Sequence, residues 1–581
     1  MERQSRKQYK KEIIRRLLYD EKKRDVYGRS GLAKLLFAPE KKEEGEEELL
    51  KAARWFLLPQ PQGRRHEGEP DFVAQKLIRA LYLAEDRLKQ ETLEAIHDFF
   101  TKWNFESEYK SENHMLIFHS SRYLYALRYP EVYFTQYEKS AKEICRQERD
   151  FLQEFIRFRA KEGWAEFDSL GYGAVCFECL LNLIDFGEQD VSDYARMSAD
   201  LQLMDMIADC SRNGFYGGAH GRVYQEMVFT YEKAPMCGIY QYYFGDRIHS
   251  HNSIEMITSL YEPSNYVYEM LAARPERWEN REAKHLHSIT CPTPHQKLHQ
   301  VPGSIDKYTY VTPEYVLGAV NHQDAYPEGP AAWYAHHQQH EWDLSLCESP
   351  DLRIFTHHPG NCTGPTGKEH GYWTGDMYCC CGQFYCRKNT AMAVYRIPEG
   401  ELNKIHVHIP LRKLEVTIEG SYLWFTEKNS GVYGMLWSSS GFCPGSEAYR
   451  DEELFCEGDR IGIVCLVGTE REYGSPEAFR KAAKAMPVTY DPEAGRLEYG
   501  DLAMEGSQRR YRGEEETFPY PAYDNPMMHG DWGAGVITLY GKIPGIGAAE
   551  EMKIPKTETK TILDFTGWGK VIRIETEQGR V

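Results

Sequence analysis

Hydrophobic positions recur at helical spacing through the first half of the chain. Within Ser192–Asn213 the apolar positions lie three or four residues apart, which puts their side chains on one face of a helix. These positions are Tyr194, Met197, Leu201, Met204 and Ala208. Ser192 is the predicted N-cap and Gly214 the predicted stop. Residues 174–186 are apolar almost all round, a pattern typical of a helix that is buried on every side.

Wholly buried and amphipathic helices alternate from the N-terminus to about residue 290. This alternation predicts two concentric helical layers, an (α/α) toroid that is either incomplete or built of six hairpins, although simple stacked bundles remain open. No repeat of fixed period is present, which argues against a solenoid.

The pattern changes at Thr290–Lys307, which carries three prolines and a glycine and shows no periodicity. Short β-rich runs separated by turn residues follow, and they predict an antiparallel β-sandwich. The runs are Lys307–Val316, Met392–Ile397, Lys404–Ile409, Leu414–Ile418, Tyr422–Thr426, Arg460–Val467, Gly535–Gly541 and Lys570–Glu575, with one helix at Pro476–Ala485. We therefore predict an α+β multidomain protein with a helical toroid over residues 1–295 and a β-sandwich with a C-terminal β extension over residues 305–581.

Composition and charge argue against several classes of function. The chain has 581 residues, of which 41% are hydrophobic, enough for more than one core. Lys and Arg number 70 against 88 Asp and Glu, a net charge of −18 that argues against a nucleic-acid partner. The sequence has no window of about 18 apolar residues, so no membrane-spanning helix is predicted. It also has no P-loop and no strand-borne GxGxxG motif. The N-terminus has no secretory pattern and the 15 cysteines are few and odd in number, so we expect a cytoplasmic protein, or a periplasmic or secreted one if a leader was removed.

The segment Ser111–His114 (SENH) opens a predicted helix. Asn113 and His114 would lie in its first turn, where free backbone N–H groups and the helix dipole favour an anion. An amide and an imidazole there are candidates to bind a carboxylate, and Glu112 is a candidate substrate contact. The alternative is an ordinary helix start in which Ser111 or Asn113 is the N-cap and His114 is half-buried.

Residues 163–173 (GWAEFDSLGYG) lead directly into the buried helix. Tyr172, between two glycines at the mouth of this helix, is placed to project its phenol into a central cavity. Trp164 is a candidate to stack on a sugar, and Glu166 and Asp168 share a face only if the segment is extended. The alternative is a core tyrosine with two solvated acids.

Residues 214–224 (GFYGGAHGRVY) carry four glycines in eight residues, which make a poor helix and a good site loop. His220 and Tyr224 are candidate catalytic groups, and Arg222 is a candidate substrate contact. A flexible surface loop explains the glycines equally well, but it does not explain the cluster of His, Arg and Tyr.

Histidines are concentrated in two stretches of the β-rich half, residues 333–342 and 355–373. His337 and His358 are candidate substrate contacts in a cleft that faces the helical half. Four residues are of the types that bind zinc, although their spacing matches no familiar zinc motif. These are His357, His358, Cys362 and His370. We expect no required cofactor and leave a structural zinc open.

The chain resembles the polysaccharide lyases of the oligoalginate lyase and heparinase II/III type. The resemblance lies in the adjacent Asn113 and His114, in Tyr172 59 positions after Asn113, and in a His-rich β half that follows a toroid-sized helical half. The resemblance implies a toroid plus β-sandwich, an acidic oligo- or polysaccharide substrate and cleavage by β-elimination. It implies that Asn113 and His114 neutralise the substrate carboxylate and that Tyr172 takes part in proton transfer. The second acid/base group, often a His or Tyr of the β domain, stays open.

The chemistry is coherent, because the C5 proton of a uronate becomes acidic only when the neighbouring carboxylate is neutralised. With an ordinary pKa of about 10, Tyr172 acts as a base only if cations such as Arg222 or His220 stabilise its phenolate; otherwise it is the acid and a histidine is the base.

Two other functions compete with the lyase. A glycoside hydrolase on the same toroid would use two carboxylates about 5 to 9 Å apart, for which Glu112 with Glu166 or Asp168 are candidates. A non-catalytic carbohydrate-binding protein would use the 40 Tyr and 11 Trp for stacking. The sequence leaves the particular uronate, the linkage, the endo or exo mode and a homodimer open.

Overall fold

The computed structural model describes residues 4–20, 27–55, 70–103, 111–221, 225–285, 304–322, 340–358, 373, 381–542, 558–567 and 571–576. Five candidate site residues lie outside these ranges. They are Arg222, Tyr224, His337, Cys362 and His370.

The first half of the described chain is almost entirely helical. The helices are α1 (Gln4–Tyr19), α2 (Arg29–Phe37), α3 (Lys42–Trp55), α4 (Pro70–Ala84), α5 (Gln90–Lys102), α6 (Glu112–Arg128), α7 (Ala141–Glu162), α8 (Tyr172–Phe186), α9 (Gln189–Asp209), α10 (Gln225–Phe229), α11 (Pro235–Tyr243), α12 (Ile254–Thr258) and α13 (Asn265–Ala273). Two short helices, α14 (Glu470–Tyr473) and α15 (Pro476–Ala485), lie in the second half. None of the described helices is long and apolar enough to cross a membrane.

These helices form an inner and an outer layer. Helices α2, α4, α6 and α8 contact one another in turn, and α12 contacts both α8 and α2, so that the inner helices close a ring. Helices α3, α7 and α9 each follow an inner helix and pack against it, and α5 packs on α3. Helices α6 and α7 differ in burial as expected for an inner and an outer helix: 15 of the 17 residues of α6 are buried, against 10 of 22 in α7. Helix α9 does not follow this rule and is not amphipathic as predicted, because 16 of its 21 residues are buried under α13 and the large sheet as well as α8.

The second half is built of antiparallel strands. The strands of the helical half are β1 (Tyr133–Phe134), β2 (Lys139–Ser140) and β3 (Trp278–His285). Those that follow are β4 (Ser304–Val311), β5 (Tyr315–His322), β6 (Trp342–Leu346), β7 (Arg353–His357), β8 (Gly382–Arg387), β9 (Thr390–Arg396), β10 (Lys404–His408), β11 (Glu415–Glu419), β12 (Tyr422–Glu427), β13 (Val432–Ser438), β14 (Cys443–Pro444), β15 (Glu453–Glu457) and β16 (Arg460–Thr469). The last are β17 (Thr489–Asp491), β18 (Arg496–Tyr499), β19 (Leu502–Glu505), β20 (Gln508–Tyr511), β21 (Glu514–Glu515), β22 (Tyr523–Asn525), β23 (Met528–Gly530), β24 (Val536–Lys542), β25 (Glu558–Asp564) and β26 (Val571–Thr576).

The described strands form three stacked sheets and one small hairpin. The large sheet has 13 strands in the order β14-β15-β10-β7-β6-β5-β4-β3-β22-β23-β24-β25-β26. The second sheet has the order β11-β12-β13-β16-β9-β8, the third runs from β17 to β21, and β1 pairs with β2. Strands β8 and β9 of the second sheet pack on β5 of the large sheet, while β18 of the third packs on β9.

Burial on both faces explains why the central strands read as continuous apolar runs. In β9, Ala391 and Ala393 face the core shared with the large sheet, whereas Met392 and Val394 face the core shared with the third sheet. A strand that is covered on both faces needs apolar residues at every position. The prediction of a helical half followed by antiparallel sheets is therefore confirmed.

The large sheet also reaches the helices. Its strands β3 and β22–β26 share a hydrophobic core with the helical half, and α13 packs on β24. Trp278 of β3 donates a hydrogen bond from its indole N–H to the carbonyl oxygen of Ala208, at 2.7 Å. Thus the large sheet begins at Trp278, before the boundary that the sequence suggested near Thr290–Lys307, and the division into domains stays a prediction.

Two predicted element limits are wrong. Helix α9 begins after Glu188 rather than Ser192, whose hydroxyl instead donates to the carbonyl oxygen of Ile184, and it ends at Asp209, before Gly214. The predicted strand Lys307–Val316 is divided between β4 and β5, because a tight turn after Val311 reverses the chain.

Candidate functional site

The start of α6 is tied to the segment that precedes α8. The carboxylate of Glu112 accepts hydrogen bonds from the backbone N–H groups of Ala165 (3.1 Å) and Glu166 (2.6 Å). It also forms an ion pair with Arg159 of α7, at 2.8 Å. Both carboxylate oxygens are therefore engaged, so Glu112 holds residues 164–168 against the helix start.

Asn113 and His114 point in different directions. The Asn113 amide donates to Glu166 Oε2 at 2.6 Å and to Ser111 Oγ at 2.9 Å. His114 Nδ1 instead bonds to the Asp71 carboxylate on α4. Neighbouring residues of a helix are turned by about 100° from each other, so the predicted pair is divided: Asn113 reaches Glu166, while His114 belongs to the contact between α4 and α6.

A small cavity of about 20 Å³ lies beside Glu166, and with its opening to solvent the empty space amounts to about 370 Å³. Five of the predicted site residues line it: Glu112, Trp164, Glu166, Asp168 and Tyr172. The other lining residues are Ser169, Gly173, Cys176, Gln202, Asp205, Tyr216 and Met236. Tyr172 is the first residue of α8 and is half-buried, as is Trp164. The structure thus brings the Trp164–Tyr172 segment together with α9 and with the loop that contains Tyr216.

The lining is acidic. Within the part of the chain that the structure describes, four carboxylates line the cavity and no Lys, Arg or His does: Glu112, Glu166, Asp168 and Asp205. Three of these carboxylates pair with cationic side chains that do not themselves line the cavity. Arg159 pairs with Glu112, Lys307 with Asp168, and Lys284 with Asp205.

Two lysines of the large sheet hold the floor of the cavity. Lys307 of β4 bonds through Nζ to Asp168, Asp209 and Glu282, the last at 3.0 Å. Lys284 of β3 reaches the two carboxylate oxygens of Asp205, at 2.7 and 2.8 Å, and Glu282 at 3.1 Å. Four carboxylates and two ammonium groups therefore share one buried cluster, the floor cluster; its members are Asp168, Asp205, Asp209, Glu282, Lys284 and Lys307.

The four carboxylates of the floor cluster outnumber its two ammonium groups, and this excess shifts the pKa values of the carboxylates. Burial, together with the neighbouring Glu282 carboxylate, raises the pKa of Asp209 to about 7 and raises the pKa of Asp205 well above its usual range. Burial also disfavours ionised Glu282, but the ammonium groups of Lys284 and Lys307 prevail and lower its pKa to about 2. The floor cluster therefore keeps bound protons near neutral pH, which brings its charges towards balance.

Metal ligation has two candidate locations. The ligand atoms of Asp168, Asp205 and Asp209 lie within 4.8 Å of one another, but the lysines of the floor cluster are bonded to all three carboxylates. Of the predicted zinc ligands, His357 Nδ1 lies 3.7 Å from Glu341 Oε2, and His358 Nε2 contacts the carbonyl oxygen of Leu402 at 2.9 Å. Cys362 and His370 are outside the described residues, so a structural zinc stays a prediction.

The glycine-rich loop is not an exposed loop: every residue from 214 to 221 is buried. A Cβ atom on Gly217 would lie 2.5 Å from Val316 Cβ, and one on Gly221 would lie 2.7 Å from the backbone of Glu166 and Phe167. Gly218, with φ of +86°, packs 3.0 Å from Gly318 by the same measure. Glycine is needed here because the loop lies directly on β5 and on the Glu166 segment.

His220 is buried behind this loop and does not line the cavity. Its backbone N–H donates to the carbonyl oxygen of His340 at 2.8 Å, and its ring packs edge-on against Tyr216 at 5.6 Å. Burial and the nearby Arg353 guanidinium lower the pKa of His220 well below its usual range. The ring is therefore neutral, and His220 cannot supply the positive charge that the sequence reasoning assigned to it. His358 likewise contacts Leu402, and it does not line the cavity.

Sequence reasoning missed Asp205, Tyr216 and the two lysines of the floor cluster. Tyr216 lies within the glycine-rich segment 214–224. Lys307 could have been found from the sequence, since it is a charged residue at the start of the predicted strand Lys307–Val316, whereas Lys284 lies in the polar stretch 278–285 and gave no such signal.

Comparison with known proteins adds little. No family model matches the sequence, and no curated protein matches it. Among solved structures, the chain is similar to heparan sulfate lyase HepC from Pedobacter heparinus, with 9% sequence identity and a TM-score of 0.32. The similarity covers 90% of this chain and 82% of that chain. A TM-score this low carries no argument, so the functional case has to come from the site.

Proposed function

We propose that the chain is a polysaccharide lyase that cleaves a uronic-acid-containing glycan by β-elimination. The observation that carries the proposal is the contact between Asn113 and Glu166: behind the Glu166 side chain, which lines the cavity together with Tyr172, the buried amide at the start of α6 binds the Glu166 carboxylate at 2.6 Å. The first turn of a helix favours an anion, so this is a suitable position for the carboxylate of a uronate.

In the proposed reaction the substrate carboxylate replaces the Glu166 carboxylate at Asn113. The amide then stabilises the charge that spreads onto the carboxylate as the C5 proton leaves. In the proposed reaction Tyr172, the first residue of α8, lines the same cavity and removes the C5 proton. The partial positive charge at the start of α8 supplies the stabilisation that its phenolate needs, in place of a cationic side chain. The half-buried indole of Trp164 is placed to pack against a sugar ring.

The acidic lining opposes an acidic substrate, and it makes the proposal testable at Glu166. If the Glu166 carboxylate occupies the substrate position, Glu166→Gln removes one repulsive charge and one competitor for Asn113. We expect this variant to keep elimination activity and to have a lower KM for uronate glycans at neutral pH, because less binding free energy is spent on repulsion.

A glycoside hydrolase is the second candidate, because Glu112, Glu166 and Asp168 all line the cavity. Two of these acids already have strong partners: Glu112 binds Arg159 and two backbone N–H groups, and Asp168 binds Lys307. A hydrolase needs one carboxylic acid and one carboxylate facing the scissile bond. For a hydrolase, Glu166→Gln should be inactive and Asn113→Ala should retain activity, the reverse of the lyase expectation.

The deciding experiment incubates the purified protein with alginate, hyaluronan, chondroitin and heparan sulfate oligosaccharides. Ultraviolet absorbance of the product and reducing ends are measured in the same samples. A rise in both signals is expected, since elimination leaves a C4–C5 alkene conjugated to the carboxylate. Reducing ends without absorbance would replace the lyase by the hydrolase, and no change in either signal on any glycan would contradict both.

A further inference from the structure

Tyr216 is a second tyrosine in the wall of the cavity. It lines the same space as Tyr172, and its side chain is almost fully buried, with 2% of its surface exposed. No hydrogen bond joins its hydroxyl to another described residue. By contrast, the hydroxyl of Tyr231, which is equally buried, contacts Ser345 Oγ at 2.8 Å. Buried hydroxyl groups normally have partners, so the Tyr216 hydroxyl is available to a ligand in the cavity.

The Tyr216 ring is held in one place. Its backbone pairs with Cys210 in an isolated β-bridge, and its carbonyl oxygen accepts a hydrogen bond from Ser345 Oγ at 2.9 Å. The ring packs edge-on against His220, with the two planes at 85°. The next residue, Gly217, lies directly on Val316 of β5. A group fixed in this way needs little reorganisation when it reacts.

The charges around Tyr216 favour the protonated phenol. Burial and the Asp168 carboxylate, followed by Cys210, Asp205 and Asp209, raise the pKa of Tyr216 well above its usual range. A phenol with a raised pKa keeps its proton at neutral pH, so Tyr216 is not the base; it passes the proton on only to an oxygen that becomes strongly basic as its bond to C4 breaks. β-Elimination needs such a donor, because the departing glycosidic oxygen is a poor leaving group until it is protonated.

We propose that Tyr216 is a second catalytic residue of this site, the acid that protonates the oxygen leaving C4 while Tyr172 takes the C5 proton. This inference rests on the proposed lyase function. The C5–H electron pair forms the C4–C5 double bond, the C4–O4 pair goes to O4, and O4 receives the Tyr216 proton. Tyr172, a phenolate at the start, ends as a phenol, and Tyr216 ends as a phenolate. Proton exchange with solvent then restores both side chains, so the net change is transfer of one proton from C5 to O4.

The test compares two leaving groups in the full-length protein. One substrate is the uronate glycan on which the wild type produces the alkene; the other is a short oligosaccharide whose terminal uronate carries fluorine at C4. Fluoride departs without a proton, so its elimination needs the base but not the acid. Tyr216→Phe is expected to lose on the order of 10²-fold or more in kcat on the glycan and to stay within a few-fold of wild type on the fluoride. Tyr172→Phe is expected to lose both activities.

The matched control is Tyr315→Phe, which removes the hydroxyl of a buried tyrosine of β5 that has no hydrogen-bond partner among the described residues and does not line the cavity. It should behave as wild type on both substrates. Activity on the fluoride also shows that Tyr216→Phe is folded. The acid role is refuted if Tyr216→Phe retains glycan activity within a few-fold of wild type. It is also refuted if Tyr216→Phe has the thermal stability of wild type but loses activity equally on the glycan and on the fluoride. If the wild type itself forms no alkene from either substrate, the lyase function fails, and the acid role fails with it.

Discussion

Replacing Lys307 by methionine should destabilise the protein strongly. The Lys307 side chain is 1% exposed, and its ammonium group is bonded to the carboxylates of Asp168, Asp209 and Glu282. Methionine has a similar length but no charge, so these carboxylates would stay buried with only part of their positive partners. Removing one member of a buried ion pair typically costs about 3–5 kcal/mol. That is a large share of the roughly 5–15 kcal/mol that stabilises a typical protein.

The loss of unfolding free energy caused by Lys307→Met should become smaller as the pH falls. Asp209, with a pKa of about 7 in the folded protein, is partly protonated near neutrality and fully protonated in mild acid. A protonated carboxyl needs no ammonium partner, so losing Lys307 costs less at pH 5.5 than at pH 8. The free energy of unfolding of wild type and Lys307→Met, from urea denaturation followed by tryptophan fluorescence, should therefore converge as the pH falls.

The control is Arg281→Met on the neighbouring strand β3. Arg281 pairs with Asp524 at 2.9 Å, but the two side chains are 40% and 31% exposed. Such a pair typically contributes about 0–1 kcal/mol. If Lys307→Met costs no more than Arg281→Met at pH 8, or if its cost grows as the pH falls, then Lys307 does not neutralise the carboxylates of the floor cluster in the way that its contacts indicate.

Three further predictions concern the site and its support. Asn113→Ala should lower kcat on uronate glycans by about 10²–10³-fold, because it removes one donor to the developing charge, and should cost about 1–3 kcal/mol of stability, because the buried Glu166 carboxylate loses a partner; an unchanged kcat would exclude Asn113 from the chemistry. Gly217→Ala should cost about 1–3 kcal/mol, since its Cβ would meet Val316 at 2.5 Å, whereas Gly567→Ala, whose Cβ would have no atom of a described residue within 4 Å, should be nearly neutral in the same thermal unfolding series. Burial lowers the pKa of His408 to about 4, below its unfolded value of about 6.5, so the unfolded state binds more protons and stability should fall as the pH drops from 6.5 to 4, by up to about 3 kcal/mol. His408→Gln should show a shallower pH slope, and equal slopes in the two proteins would count against this assignment.

Local patterns predicted the elements well. The apolar run at 174–186 lies in α8, and Pro476–Ala485 is α15 as predicted. The apolar run at Met392–Ile397 overlaps β9, the buried strand between two cores. These predictions are correct because the period of a helix or strand, and complete burial of an element, each determine which positions along the chain are hydrophobic.

Contacts between distant segments were much harder to predict. Asn113 and His114 are neighbours in sequence, yet one binds Glu166 and the other Asp71. The direction of each side chain depends on which helix packs beside it, and periodicity along one helix does not contain that information. His220 was predicted to be a charged group near the reaction, but burial beside Arg353 makes it neutral.

By itself, the sequence determined the helical half, the antiparallel strands and the segments 111–114, 163–173 and 214–221 as regions of interest, because each depends on local composition and spacing. Only the tertiary structure decided that Tyr216 shares a cavity with Tyr172, and that Lys284 and Lys307 hold four acids beneath it. Lys307 and Asp168 are 139 residues apart in the chain. Their pairing comes from the register of β3 and β4 under the helical layer, where a buried carboxylate is stable only beside a counter-charge or with a proton.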